Sequence, residues 1–184
     1  MPSFKPSDPR GAGALVAIDL QEGFRHPRWG RRNQPGLESS VGTILEAWRA
    51  RGLPVIHVLH RSLEPDSPLR PGQPGTEPMS CARPLPGEAI FEKSVHSAFI
   101  GTGLETWLRA RDLQNLSLIG MTSDHCVSTS ARMGADLGFE ITLIEDGLAT
   151  FDRVARDGRV IPAELVHEVS LASLSREFAR VISL

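Results

Sequence analysis

The chain has 184 residues, of which 40% are hydrophobic and 23% are charged, a size typical of one domain with a substantial core. Its net charge of −2 and pI near 6.3 argue against nucleic acid or an anionic membrane as the main partner. The two cysteines, Cys81 and Cys126, lie far apart, so a disulfide between them is possible but not indicated. They are also too few for a thiolate zinc site.

The amino-terminal segment, residues 1–13, contains three prolines and is expected to be a loose lead-in. The apolar run that follows, residues 14–18, is too short for a signal peptide or a membrane span. We therefore expect a cytoplasmic protein with a single domain over residues 1–184.

Strand-like and helix-like segments alternate along the rest of the chain. Uninterrupted apolar runs are typical of strands buried on both faces, and apolar residues three and four apart favour helices. This alternation predicts an α/β fold, a three-layer αβα sandwich around a Rossmann-like parallel sheet of five to six strands. In chain order, the pattern predicts a strand at 14–18, a helix at 39–51, strands at 53–60 and 89–93, a helix after a capping box at 102–105, a strand at 115–121, a helix at 126–138, a strand at 139–145, a helix from Pro162 and an edge strand at 179–184.

The buried faces of two helices are predicted from the same spacing. The helix after the capping box should bury Leu104, Trp107 and Leu108. The helix from Pro162 should bury Leu165, Val166, Val169 and Leu171.

Residues 61–88 interrupt this alternation, because they contain half of the 14 prolines and little apolar periodicity. A loop of this length between two strands of one sheet is more often a functional or interface loop than a linker. A surface excursion without a role is the alternative.

Ligands of a parallel sheet bind at the carboxyl ends of its strands. The polar residues expected at that edge are Asp19, His60, Lys93, Cys126 and Asp146. Asp19, Lys93 and Cys126 form a chemically sensible set, since a carboxylate can take a thiol proton and a lysine can stabilise negative charge. Taken singly, each has a structural explanation, as a turn former, a surface cation or a small buried side chain.

Cys126 is the most informative of these residues. It follows the predicted strand 115–121 and opens a run of small, helix-compatible residues. The positive end of a helix favours thiolate over thiol, which predicts a lowered pKa for this thiol. Backbone N–H groups at the same helix end could hold an oxyanion.

Three segments resemble the signature blocks of the isochorismatase-like cysteine hydrolases, a superfamily that includes nicotinamidases, N-carbamoylsarcosine amidase, ureidoacrylate amidohydrolases and streptothricin hydrolases. They are Asp19-Leu-Gln-Glu-Gly-Phe24, Lys93-Ser-Val-His-Ser-Ala-Phe99 and Gly120-Met-Thr-Ser-Asp-His-Cys-Val127. The blocks occur in the family's order and spacing, and the resemblance extends from about Ala14 to Phe178.

The resemblance implies a role for each catalytic candidate. Asp19 would be the general base, Lys93 the supporting cation and Cys126 the nucleophile. The Met121–Thr122 bond would be cis, and the backbone N–H groups of Thr122 and Cys126 would form the oxyanion hole. The implied reaction is hydrolysis of an amide, ureido or carbamoyl bond of a small-molecule substrate through an acyl-enzyme, without a cofactor, in a homo-oligomer (a dimer or tetramer).

Two differences between this sequence and members of the superfamily narrow the expected chemistry. Nicotinamidases carry an Asp and two His as a metal site after the second strand. Here the corresponding residues are His57, His60 and Asp66, and strand alternation places the two histidines on opposite faces, so we expect no metal. True isochorismatases lack the cysteine, so Cys126 argues against vinyl ether cleavage. The substrate itself is left open.

Five further residues are candidates for substrate binding: Phe24, Trp29, Phe99, His125 and Phe151. Gln21 and Asp124 are expected to support the site rather than act in it. A nucleotide-binding module is disfavoured, because Asp-Leu-Gln-Glu follows the first strand where a glycine-rich phosphate loop would be needed. A redox sensor or non-catalytic binding protein that uses a low-pKa Cys126 remains the alternative function.

Overall fold

The computed structural model describes residues 13–183. Six strands form one parallel sheet: β1 Ala14–Ile18, β2 Val55–His60, β3 Ala89–Lys93, β4 Asn115–Met121, β5 Glu140–Ala149 and β8 Arg180–Ile182. Their order in the sheet is β3-β2-β1-β4-β5-β8, and β6 Arg153–Val154 pairs with β7 Val160–Ile161 in a separate antiparallel hairpin. The helices are α1 Leu37–Ala50, α2 Leu104–Arg109, α3 Ser128–Asp136 and α4 Ala163–Leu174. The predicted α/β sandwich with a parallel sheet is confirmed. The predicted lead-in falls almost entirely outside the described residues.

The core lies on both faces of the sheet because the strands are apolar on both faces. In β1, Val16 and Ile18 belong to one buried cluster, which α2, α3 and α4 cover. Leu15 and Ala17 belong to the other cluster, which contains the apolar stripe of α1. The continuous apolar run of β1 follows from this two-sided burial.

Gly120 allows β4 to approach β1 closely. Its φ is 134°, and a Cβ at this position would lie 1.9 Å from the carbonyl oxygen of Ile18. Any side chain here would force β1 and β4 apart. These two strands carry Asp19 and the Cys126 turn at their carboxyl ends.

Two predictions about helices are wrong in detail. On α4 the buried residues are Ala163, His167, Leu171 and Leu174, whereas Leu165 and Val169 are exposed. His167 lies in the interior instead, where its ring nitrogen Nδ1 contacts the Ser123 hydroxyl.

The predicted capping box does not form either. Gly103 is the N-cap residue of α2, the Thr102 hydroxyl accepts a hydrogen bond from the Leu104 N–H, and Glu105 pairs with Arg109. Leu104 and Leu108 are buried as predicted, and Trp107 is partly buried.

Residues 61–88 fold back against the sheet edge. Gln21 holds this segment, because its side-chain amide donates to the carbonyls of His60 and Thr76 and accepts from the His60 N–H. Residues 61–88 therefore form an ordered loop that packs beside the carboxyl ends of β1 and β2. Within residues 13–183, no helix is both long and apolar enough to cross a bilayer.

Candidate active site

Asp19, Lys93 and Cys126 meet at the carboxyl edge of the sheet. The Lys93 ammonium lies 2.6 Å from Asp19 Oδ2 and 3.3 Å from Cys126 Sγ. All three residues are buried, with exposed fractions of 0%, 2% and 7%. The cluster is therefore shielded from bulk water, and its charges interact strongly with one another.

The backbone brings these residues together from β1, β3 and β4, with β2 lying between β3 and β1. Asp19 directly follows β1 with a φ of 53°, and its N–H donates to the carbonyl of Val58 in β2. Lys93 is the last residue of β3. Cys126 lies in a single π-helical turn, Ser123–Val127, between β4 and α3, and the Met121–Thr122 bond before it is cis, as the resemblance implies.

The thiol of Cys126 differs from the sequence prediction. Burial raises its pKa above the usual value, and the negative charge of Asp19 raises it further, while Lys93 acts in the opposite direction. The expected lowering at a helix end is outweighed, because the thiol is buried next to a carboxylate. The resting residue is therefore a thiol that needs a base rather than a preformed thiolate.

Asp19 has the properties of such a base. Burial raises the pKa of its carboxyl group, although Lys93 opposes that shift. Its Oδ2 contacts Lys93, whereas its Oδ1 is buried and has no hydrogen-bond partner among the described residues. A carboxylate oxygen and the Cys126 sulfur lie within 4.8 Å of each other. A raised pKa brings the basicity of the carboxylate closer to that of the thiol it would deprotonate.

One group of side chains has the composition of a metal site: Asp19, His60 and Cys126, whose ligand atoms lie within 4.8 Å of one another. The Lys93 ammonium lies among these three, 3.1 Å from His60 Nδ1 as well as next to the other two. A cation bound by the group would have to displace this buried ammonium. The donor set therefore does not fit a metal ion while Lys93 is present.

His57 and His60 have different partners. His57 lies 2.8 Å from Glu88, which also pairs with Arg49. His60 faces Lys93, and burial together with the Lys93 charge lowers its pKa to about 4. His60 is consequently neutral near pH 7 and can accept a hydrogen bond from Lys93.

A cleft of about 270 Å³ opens above the cluster, and Asp19, Thr122 and Cys126 are among its lining residues. Larger grooves of about 770 and 870 Å³ lie elsewhere, but neither is lined by a member of the cluster. The enclosed volume is slightly below the range common for drug-sized ligands, which indicates a small substrate.

The substrate-binding candidates occupy different places. Phe24, Trp29 and His125 line the cleft. Phe151 packs against both Phe24 and Trp29, at ring distances of 6.2 and 5.9 Å, but is not among the lining residues. Phe99 lies away from the cleft, stacked on Phe139 in the core, because the chain buries it against α3 rather than turning it to the sheet edge.

Two arginines that the sequence interpretation missed line the cleft, Arg28 and Arg153. Arg153 is held by Asp124, which it contacts at 2.7 and 3.0 Å, and Asp124 also accepts from the Thr150 hydroxyl. This pairing lowers the pKa of Asp124 to about 2 against the effect of burial. Asp124 therefore holds Arg153 at the cleft, a contact that no spacing in the sequence predicts.

His96 and several loop residues were also missed. His96 lines the cleft opposite His125, with ring centroids 5.8 Å apart. The proline-rich segment contributes Ser62, Glu64, Ser67 and Leu69. Asp146, in contrast, lies inside β5 and is not among the lining residues, because β5 continues to Ala149.

Comparison with known proteins agrees with this geometry. The isochorismatase domain model matches residues 13–184. The isochorismatase family protein YrdC of Bacillus subtilis is 37% identical over 170 residues, which cover 92% of this chain and 91% of that protein. A putative hydrolase of the isochorismatase family from Chromobacterium violaceum superimposes with a TM-score of 0.92 at 43% identity, covering 100% of this chain and 94% of that one. N-carbamoylsarcosine amidase from Thermoplasma acidophilum superimposes with a TM-score of 0.73 at 26% identity, covering 93% and 95%.

Proposed function

Because the chain belongs to the isochorismatase family of hydrolases, we propose that it is a cysteine hydrolase that cleaves an amide, ureido or carbamoyl C–N bond of a small molecule. The observation that carries this proposal is the buried cluster of Asp19, Lys93 and Cys126, in which a carboxylate oxygen of Asp19 lies within 4.8 Å of the thiol sulfur. The likeness to an amidase over nearly the whole chain supports the same reaction class.

The first half of the reaction forms an acyl-enzyme. Asp19 Oδ1 takes the proton of Cys126 as the sulfur attacks the carbonyl carbon, and the carbonyl oxygen becomes an oxyanion. The backbone N–H groups of Thr122 and Cys126 are the proposed donors to that oxyanion. The C–N bond then breaks as the protonated Asp19 returns its proton to the leaving nitrogen.

The second half releases the acyl group. A water molecule attacks the thioester carbon while Asp19 takes one of its protons. The C–S bond breaks, and the sulfur regains the proton. Throughout both halves Lys93 stays paired with Asp19 and near the sulfur, so that it offsets whichever of the two carries negative charge. The residues named here complete the cycle without a cofactor.

The cleft indicates what a substrate should look like. Its volume of about 270 Å³ favours a small molecule, and Phe24 and Trp29 offer an apolar wall. Arg28 and Arg153 supply positive charge. A small amide, ureido or carbamoyl compound with an acidic or strongly hydrogen-bonding group fits this lining best.

The alternative, a redox sensor built on Cys126, is less well supported. Such a sensor works through a readily formed thiolate, whereas burial and Asp19 raise the pKa of this thiol. A sensor also has no need for a proton-accepting carboxylate beside the sulfur. We further propose a cytoplasmic homo-oligomer, as expected from the sequence.

Ammonia release from a panel of small amides, ureido acids and carbamates tests the proposal, with Cys126→Ser as the matched control. We expect turnover of at least one compound class, loss of turnover in Cys126→Ser, and an acylated Cys126 in acid-quenched samples examined by mass spectrometry. Prior treatment with a chelator should leave the rate unchanged, because Lys93 occupies the only clustered donor set within residues 13–183. Hydrolysis that survives in Cys126→Ser would contradict the proposal.

A further inference from the structure

The turn that carries Cys126 is held from the side of α4 by two side chains. His167 Nδ1 lies 3.0 Å from the Ser123 hydroxyl, and the Ser170 hydroxyl donates to the Ser123 carbonyl at 2.8 Å. Ser123 is the first residue of the π-helical turn, three positions before the nucleophile, and is 0% exposed. The two contacts thus hold the side-chain hydroxyl and the backbone carbonyl of the residue that starts the turn.

His167 connects this buried contact to an open groove. The ring is 8% exposed and lines a groove of about 770 Å³ with Glu145 and Glu168, and its Nε2 lies 4.0 Å from Glu145 Oε1. Burial lowers the pKa of His167, although Glu145 and Asp124 oppose that change. The neutral ring can accept from the Ser123 hydroxyl at Nδ1 while its Nε2–H points towards Glu145.

The order Ser123, His167, Glu145 resembles a serine hydrolase triad, but this interpretation fails on accessibility. Ser123 is completely buried and does not line the cleft, so no substrate carbon can reach its hydroxyl. The contact must act on the fold of the turn instead. The next residue of the same turn, Asp124, has other partners, because its carboxylate accepts hydrogen bonds from Arg153 and Thr150.

We infer that His167 is a positioning residue: with Ser170 it fixes Ser123, and through Ser123 it sets the position of the Cys126 sulfur against Asp19. This inference rests on the proposed function, in which the sulfur must meet both Asp19 and a carbonyl carbon. Small displacements of a reacting atom reduce the rate of the chemical step more than they reduce binding. Removal of the contact should therefore lower kcat and leave KM nearly unchanged.

Three substitutions of His167 separate a hydrogen-bonding role from simple filling of space. His167→Leu removes the contact with Ser123 and should lower kcat about 10- to 100-fold. His167→Asn places an amide where Nδ1 was and should restore most of that loss. His167→Gln places the amide near the former Nε2 and should not. Glu168→Gln, at an exposed neighbour on α4, is the matched control and should behave as the wild type.

A double-mutant cycle tests the route through Ser123. If the contact acts through this hydroxyl, Ser123→Ala and His167→Leu should each reduce kcat, and the double variant should be little worse than either single variant. Independent, multiplying effects would overturn the route. Should His167→Leu fail to fold, Ser123→Ala removes the hydroxyl that contacts His167, and Ser170→Ala removes the hydrogen bond to the Ser123 carbonyl, each with a smaller change of volume.

The rate of Cys126 alkylation by iodoacetamide at fixed pH provides a readout that does not depend on any substrate. We expect it to change in His167→Leu and to return towards the wild-type value in His167→Asn. Unchanged alkylation and unchanged kcat in both His167→Leu and Ser123→Ala would overturn the inference. If no amide is hydrolysed but alkylation still follows this pattern, the proposed function fails and the positioning role stands.

Discussion

At the scale of single residues, the proposed reaction depends on a carboxylate and a thiol that compete for one proton. The pKa values of Asp19 and Cys126 are both raised, mainly by burial, and the charge of Asp19 contributes to the shift at the sulfur. The helix end, which favoured thiolate on sequence grounds, is outweighed by these two effects.

This competition predicts opposite changes in thiol acidity and in catalysis. Asp19→Asn removes the negative charge beside the sulfur and leaves Lys93 in place, so the pKa of the Cys126 thiol should fall. The midpoint of the pH profile for alkylation should therefore move to lower pH. Hydrolysis should nevertheless decrease by about 10²- to 10⁴-fold, because the general base is lost. A midpoint that moves to higher pH would contradict the assigned electrostatics.

Lys93 is expected to contribute to stability as well as to chemistry. Lys93→Met leaves the Asp19 carboxylate buried without its partner, and loss of one member of a buried pair typically costs about 3–5 kcal/mol. Burial raises the pKa of Asp19, so a folded variant without Lys93 will keep this group protonated to a higher pH than the unfolded chain does. The deficit relative to the wild type should be largest near neutral pH and shrink towards pH 4.

Urea unfolding at several pH values measures that deficit. Arg159→Met is a suitable control, because Arg159 pairs with Asp157 on the surface and its loss should cost less than about 1 kcal/mol. A Lys93→Met deficit that stays constant from pH 4 to pH 8 would show that Asp19 is not the group left unpaired.

At the scale of elements, the sequence predicts the sheet better than the segments around it. β1, β3 and β4 begin and end as predicted, because their apolar runs end in polar or turn-forming residues. β5 was predicted too short, since its pairing with β4 shifts register after Leu118 and continues beyond the polar residues Glu145 and Asp146. Hydrophobic periodicity contains no information about such an irregularity.

Side chains whose burial depends on a distant partner were equally hard to predict. On α4 the apolar Leu165 and Val169 face solvent, and His167 faces inward because Ser123 accommodates it. Arg153 reaches the cleft from a two-residue strand in a segment with no strand-like pattern. The Asp157–Gly158 pair between β6 and β7 is a usual hairpin signal that could have located this element.

The contact between β1 and β4 should tolerate no side chain at position 120. Gly120→Ala places a Cβ against the carbonyl oxygen of Ile18 at a positive φ, so we expect a large loss of stability and the loss of activity with it. Gly42→Ala is the matched control, because Gly42 lies within α1 and a Cβ there meets no other atom within 4 Å. That control should stabilise the protein by about 0.5–1 kcal/mol. Thermal unfolding of the two variants should therefore shift in opposite directions.

At the scale of the whole molecule, exposed apolar side chains support the proposed homo-oligomer. Leu63 and Leu85 in the proline-rich segment, and Leu165 and Val169 on α4, are exposed on the single chain. We expect light scattering at micromolar concentration to give a mass at least twice the 20.0 kDa of one chain. The double substitution Leu165→Glu and Val169→Glu should lower that mass if α4 forms the interface. A wild-type mass of about 20 kDa would contradict the proposal.

The strand order has a consequence for biogenesis. β1 is paired with β2 on one side and with β4 on the other, so the sheet cannot close around Asp19 before β4 is available, and Cys126 follows Lys93 by 33 residues. A nascent chain that has emerged only as far as α2 contains Asp19 and Lys93 but lacks Cys126 and the strand β4 that pairs with β1. β1 and β4 can pair only after β4 has left the ribosome, and pairing between strands so distant in sequence is intrinsically slow. Cys126 is thus synthesised after Asp19 and Lys93 but before Arg153, His167 and Ser170, the side chains that hold its turn.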